Sequence, residues 1–192
     1  MASIMEKAGD RIKVLDVDSI AKNIYEKNIG IKTDLKNTFG PDIMDDDENI
    51  LYGKLAKIVF SDQIELSKLN RLMFPPIRRE IKKMIKLDND SDYIIIDAAI
   101  LFDAKLDLLC DFIVFVDTDE SLRKTFLKNK NLDDNEIELR IEGQHIKINE
   151  SRVDFRIFND DRMEVLREKT LSIFKAVEKK ISNKDWKRRH LN

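Results

Sequence analysis

Three short runs, apolar at almost every position, constrain this chain most: residues 93–98 with Asp97 near their end, residues 112–116 followed by Asp117, and residues 155–158 between Asp154 and Asn159. A strand with one wet face alternates apolar and polar side chains. A strand that is apolar throughout needs cover on both faces, as in a parallel sheet between two layers of helices. A fourth segment, residues 12–17, begins with alternation and then tightens to Val14, Leu15 and Val17. Helical patterns fill the intervals. They cover residues 1–8, stopped by Gly9, and a helix capped by Ser19 with Ile20, Ala21, Ile24 and Tyr25 at helical spacing. Further on they cover residues 33–38, 54–60, 62–86, 119–128, 133–149 and 160–181. Strands alternating with helices predict an α/β fold, a parallel sheet flanked by helices in three layers.

Local signals refine this outline. Asp62 with Glu65, and Asp133 with Glu136, fit capping boxes. Leu69, Leu72, Met73, Ile77, Ile81, Met84 and Ile85 form an apolar stripe, and Pro75-Pro76 should kink or break the helix that carries it. The acidic run Asp45-Asp46-Asp47-Glu48 reads as a solvated loop, because consecutive acids cannot all point at one ion. The 192 residues are enough for one domain with a sizeable core, expected over 1–182, with 183–192 as a polar basic tail.

Composition narrows the partners. Lys and Arg (35) nearly balance Asp and Glu (37), for a net charge of -2, so nothing calls for nucleic acid or a membrane surface. The single cysteine, Cys110, allows no intrachain disulfide and points to the cytosol. Beside Leu108, Leu109 and Phe112 it reads as a small buried hydrophobe.

Ligands of open parallel sheets bind beyond the carboxyl ends of the strands. The polar residues there are Asp16, Asp18, Asp97, Asp117 and Asn159. If Asp16 and Asp18 stay extended, both project to one side. Asp18 can then accept a proton from an attacking hydroxyl or help hold Mg2+ through water. It can equally be a helix N-terminal acid favoured by the dipole. Arg140 and Gln144, four apart on a helix, could clamp phosphate or base, or form a plain surface pair. His145 has no nucleophile or metal-ligand partner spaced to meet it.

Several segments together resemble the dephospho-CoA kinases. Val14-Leu15-Asp16-Val17-Asp18-Ser19-Ile20-Ala21-Lys22 is similar to the family's V-I-D-A-D-x-I-A-R. Phe39-Gly40, then Lys54-Leu55-Ala56-Lys57-Ile58-Val59-Phe60, follow in family order. Leu69-Asn70 leads to Pro75-Pro76-Ile77-Arg78, where the family has L-N-x-x-x-H-P-x-I. Ile96-Asp97-Ala98-Ala99-Ile100-Leu101-Phe102-Asp103 stands for D-x-P-L-L-F-E. Arg140-Ile141-Glu142-Gly143-Gln144 matches R-I-x-x-Q, and Val153-Asp154-Phe155-Arg156-Ile157-Phe158-Asn159 resembles A-D-x-V-I-x-N.

The resemblance implies a P-loop nucleotide-kinase fold with a helical acceptor-binding insertion near 30–90 and a lid near 119–150. It implies transfer of the ATP γ-phosphoryl group, with Mg2+, to the ribose 3′-hydroxyl of dephospho-CoA. Carried over, Asp18 is the catalytic carboxylate and Asp16 its neighbour. Arg140, Gln144 and Asn159 lie by the nucleotide. Phe39, Pro75, Ile77 and Arg78 lie by the acceptor. Arg123, Lys124 and Lys128 stand as lid charges, where Leu122, Thr125 and Asn129 occupy the family's Gln and two Arg positions. Phe74 stands for the family His and Tyr52 for a basic residue.

The family also opens with a central strand and G-x-x-x-x-G-K-[ST], whereas Met1-Ala2-Ser3-Ile4-Met5 aligns with the helix after that loop. The expectation is that Met1 is an internal methionine of a longer protein. The alternatives are a non-catalytic relative that binds a nucleotide or a CoA precursor, or another P-loop nucleotide kinase. Without the first strand, a gap is expected between the strands near 93–98 and 112–116.

Overall fold

The computed structural model describes residues 1–9, 11–128, 137 and 148–182. The chain runs α1 (Ala2–Glu6), β1 (Ile12–Asp16), α2 (Val17–Lys27), α3 (Ile29–Phe39), α4 (Tyr52–Ser61), α5 (Gln63–Leu87), β2 (Tyr93–Asp97), β3 (Val114–Thr118), α6 (Glu120–Lys128), β4 (Phe155–Asn159) and α7 (Met163–Ser182). The expected helix over 133–149 lies outside the described residues, apart from Ile137, which is helical and buried, and 148–149.

All strand pairing is parallel, as the apolar runs require. β1 pairs with β2 in a register that sets Leu15 beside Ile96 and Asp16 beside Asp97. β3 pairs with β4, setting Val116 beside Ile157 and Thr118 beside Asn159. Among the described residues no ladder joins the two pairs, so β2 and β3 do not close the expected gap by pairing with each other. Ile94, Ile95 and Ile96 are only half-buried, and Val116 remains 39% exposed.

One apolar cluster backs the first pair. It takes Leu15, Val17, Ile20, Ile31, Leu35, Ile43, Ile50, Leu55, Val59, Met73, Ile77, Ile81, Ala104 and Leu106. Each helix from α2 to α5 contributes, and α5 is packed by α2, α3 and α4. The two prolines do not end α5, contrary to the expectation of a break. They cost the carbonyls of Arg71 and Leu72 their helical donors, but Met73, Pro76, Ile77 and Ile81 are buried along the helix and carry it through.

α7 serves both pairs. Phe174 meets Tyr93 of β2 edge-on, with centroids 5.0 Å apart. Lys180 sits over Phe112 and Phe155, 5.4 and 4.9 Å from their ring centres. None of the described helices is long and apolar enough to cross a membrane.

Several boundaries move. β3 starts two residues later than expected, so Asp117 lies inside the strand and Thr118 ends it. α3 begins at Ile29, because the Asn28 side chain accepts the N–H of Ile31 and caps it. Asp62 caps α5 through the N–H of Ile64, but Glu65 pairs with Lys68 at 2.6 Å rather than completing a box. The acidic run folds into a turn. Asp45 accepts the N–H groups of Asp47 and Asn49. Lys32 donates to the Glu48 carbonyl and Lys36 pairs with the Glu48 carboxylate.

Candidate active site

The β1–α2 junction is built without a linker. β1 ends at Asp16 and α2 starts at Val17. Asp16 is therefore the helix cap, a role expected of Ser19. One carboxylate oxygen accepts the N–H groups of Asp18 (3.0 Å) and Ser19 (3.2 Å), and the other accepts the Ser19 hydroxyl (2.7 Å). This satisfies helix N–H groups that have no partner in the first turn. Val17 is fully buried and anchors the turn. The extended geometry does not persist past Asp16, so the two acids do not project side by side as a strand would place them. Asp18 is exposed in the first turn of α2, where the helix dipole favours its charge. Asp97, exposed at the end of β2, lies next to Asp16 in the ladder.

On the α5 side, Arg78 is half-buried and its Nε donates to the Ala104 carbonyl at 3.0 Å. Ile77 is inside the core at 2% exposure, and Pro75 is exposed next to the buried Pro76. Phe39 packs half-buried against the same core. Gly40 follows it with φ of 93°, a left-handed conformation that admits glycine readily and turns the chain into Pro41–Ile43. Tyr52 meets Tyr25 edge-on at 5.8 Å, and burial raises the Tyr25 hydroxyl pKa.

The second strand end is tied by side chains. The Thr118 hydroxyl donates to the Asn159 carbonyl at 2.9 Å, and Lys169 donates to the Phe158 carbonyl at 3.1 Å. Asn159 Oδ1 accepts the N–H of Asp161, whose φ is 67°. Arg162 pairs with Asp160 and holds that carboxyl below its usual range. Thr118 and Lys169 escaped the sequence reading. The two-residue shift of β3 hid the first, and no local pattern reports a side chain reaching a carbonyl eleven residues away.

On α6, Arg123 reaches the Thr118 carbonyl at 3.4 Å and Lys124 pairs with Glu120 at 3.0 Å. Lys128 ends this helix. Arg140 and Gln144 lie outside the described residues. The structure thus brings Asp16, Asp18 and Asp97 together at one pair of strand ends and places Asn159 at the other. Chemically, the first end offers an exposed carboxylate able to take a proton, and the second a fixed polar turn.

The family model for dephospho-CoA kinase matches residues 1–164. The dephospho-CoA kinase of Lactobacillus acidophilus is 32% identical over 163 residues, which cover 82% of this chain and 81% of that protein. That of Carboxydothermus hydrogenoformans is 30% identical over 194 residues, covering 98% and 91%. Among solved structures, TT1252 from Thermus thermophilus superposes with a TM-score of 0.69 at 20% identity, over 95% of this chain and 90% of that one. The dephospho-CoA kinase from Campylobacter jejuni gives 0.57 at 19% identity, over 93% and 92%. These structural likenesses carry the fold, and with the family match and the close relatives they make this chain a member of the dephospho-CoA kinase family.

Proposed function

We propose that this protein transfers the γ-phosphoryl group of MgATP to the ribose 3′-hydroxyl of dephospho-CoA. The carrying observation is the family match over residues 1–164, within which Asp18 stands exposed at the carboxyl end of the parallel strands. Asp18 accepts the proton of the 3′-hydroxyl as the oxygen–phosphorus bond forms and the bond to the bridging β,γ-oxygen breaks, which releases ADP. Asp16 keeps the Asp18 turn in shape through its cap. Phe39, Pro75 and Arg78 line the acceptor side, with Ile77 packing behind them. Asn159 lies beside the base, and Arg140, Gln144, Arg123, Lys124 and Lys128 supply the lid side.

Mg2+ enters with the nucleotide as part of the substrate. Phosphates and water are the usual main ligands of such an ion, with few protein carboxylates. The reaction is assigned to the cytosol on the lone Cys110.

Phosphoryl transfer to dephospho-CoA, measured against nucleoside and nucleotide acceptors in competition, tests this reading. Dephospho-CoA should be preferred, and transfer should require Mg2+. Preference for a different acceptor would make the protein another nucleotide kinase. Tight dephospho-CoA binding without any transfer would make it a binding protein.

A further inference from the structure

Among the described residues the two strand pairs share no ladder, and other elements bridge them. α7 is one bridge. The segment 98–113, which joins β2 to β3, is another. Its first part belongs to the core of the first pair, since Ala104 and Leu106 are fully buried there. It is folded on itself, with the Leu106 N–H on the Leu101 carbonyl at 2.8 Å and the Leu109 N–H on the Leu106 carbonyl at 2.9 Å.

Two arginines grip this segment from opposite halves. Arg78 of α5 holds the Ala104 carbonyl. Arg152, three residues before β4, donates through Nη2 to the carbonyls of Asp107 (2.8 Å) and Cys110 (3.3 Å). Its Nε lies 3.9 Å from the buried Asp107 carboxylate. A guanidinium suits this task because it is planar and carries several donors in fixed directions, whereas an ammonium is a single point.

We propose that Arg152 is a positioning residue for phosphoryl transfer. By holding segment 98–113, it sets the strand pair that ends in Asn159 against the pair that ends in Asp16 and Asp97. The inference rests on the functional reading above, which needs acceptor and nucleotide aligned although different halves hold them. Alignment errors near 1 Å can cost on the order of a hundredfold in rate while each partner still binds.

The test is steady-state kinetics with ATP and dephospho-CoA for Arg152→Ala, Arg152→Lys and Asp107→Asn, read with hydrogen exchange. Arg152→Ala should lower kcat by about tenfold or more and leave both KM values within about threefold, the pattern of lost alignment rather than lost binding. Arg152→Lys should fall between. Asp107→Asn should stay within about twofold, since both carbonyl contacts remain. A kcat for Arg152→Ala within twofold of the parent, or a change confined to KM, overturns the proposal. Should Arg152→Ala fail to fold, a full kcat in Arg152→Lys overturns it. Should the parent protein transfer nothing to dephospho-CoA, the functional reading fails on its own. The clamp is then judged by exchange. The amides of Ala104, Leu106 and Leu109 must lose about tenfold protection in Arg152→Ala while those of α5 keep theirs, and unchanged protection overturns it.

Discussion

The two strand pairs are made of equally apolar sequence and end in different conditions. β1 and β2 are backed by four helices, and among the described residues the fourteen members of the main core lie between Leu15 and Leu106. β3 and β4 lean on α7, with Ile113, Ile157, Leu166, Thr170 and Val177 buried among the described residues, while Val116 and Phe158 stay 39% and 44% exposed. An apolar strand therefore states a demand for cover, and the number of helices within reach decides how far that demand is met. The better-covered half also holds Asp18, the acid proposed to take the proton, exposed at its strand end.

The largest effect should come from that acid. Asp18→Asn is expected to reduce turnover by about a hundredfold, the usual scale for removing a general base. Its thermal stability should stay near the parent's. A loss below tenfold would move the proton acceptor elsewhere, with Asp97 the next residue to change.

Stability should divide along the same line. Leu35→Ala, in the first half at 0% exposure, is expected to cost about 2–5 kcal/mol in denaturant unfolding. Phe158→Ala, in the second half, should cost within about 1 kcal/mol, as partly exposed sites do. Equal losses would mean that the two halves form one cooperative core despite their separate ladders.

At the strand end, Asp16→Ala should cost about 1 kcal/mol, or roughly 2–4 °C in Tm, by removing the cap of α2. Asp16→Asn keeps an acceptor for the same N–H groups and should recover most of that loss. If Asp16→Asn abolishes turnover instead, the charge of Asp16 belongs to the chemistry and its capping role is secondary.

The smallest effect concerns pH. Asp88 accepts from Lys13 at 2.6 Å and from the Ser91 N–H, and Lys13 foremost holds its carboxyl down at about 2. Its stabilisation is complete above the unfolded carboxyl value near 4, declines as pH falls, and is lost below about 2. The stability gap between the parent and Asp88→Asn should therefore be constant above pH 5 and shrink toward pH 2. A gap that stays constant down to pH 2 would remove Lys13 as the cause.

Much of this is legible in the sequence. Runs of apolar residues gave parallel strands, Asp62 gave a cap, and the stripe from Leu69 to Ile85 gave α5. What was missed has physical reasons. Val17 counted as a strand residue because an apolar side chain at the first helical position looks the same as one at the end of a strand. Asp16 thus looks like a strand-end acid in the sequence and is a helix cap in the structure. Pro75 and Pro76 weigh heavily in local rules, yet buried side chains on both sides of them outweigh the lost N–H groups. The grips of Arg78 and Arg152 span 26 and 45 residues and end on carbonyls, which every residue possesses, so no residue type marks them.

The span of the main core has a consequence for synthesis. Everything in it is present once Leu106 has been added, so this half can compact while the rest is still being made. α1 packs on both β1 and α7, so its contact with α7 must wait for the last helix. At about 5–20 residues per second, the stretch from Leu106 to Ser182 takes roughly 4–15 s. During that interval the emerging chain presents a packed middle and an α1 held by β1 without its α7 contact. Pulsed proteolysis of ribosome-held chains should cut near Met5 until α7 appears, and protection of Met5 before then would break that order.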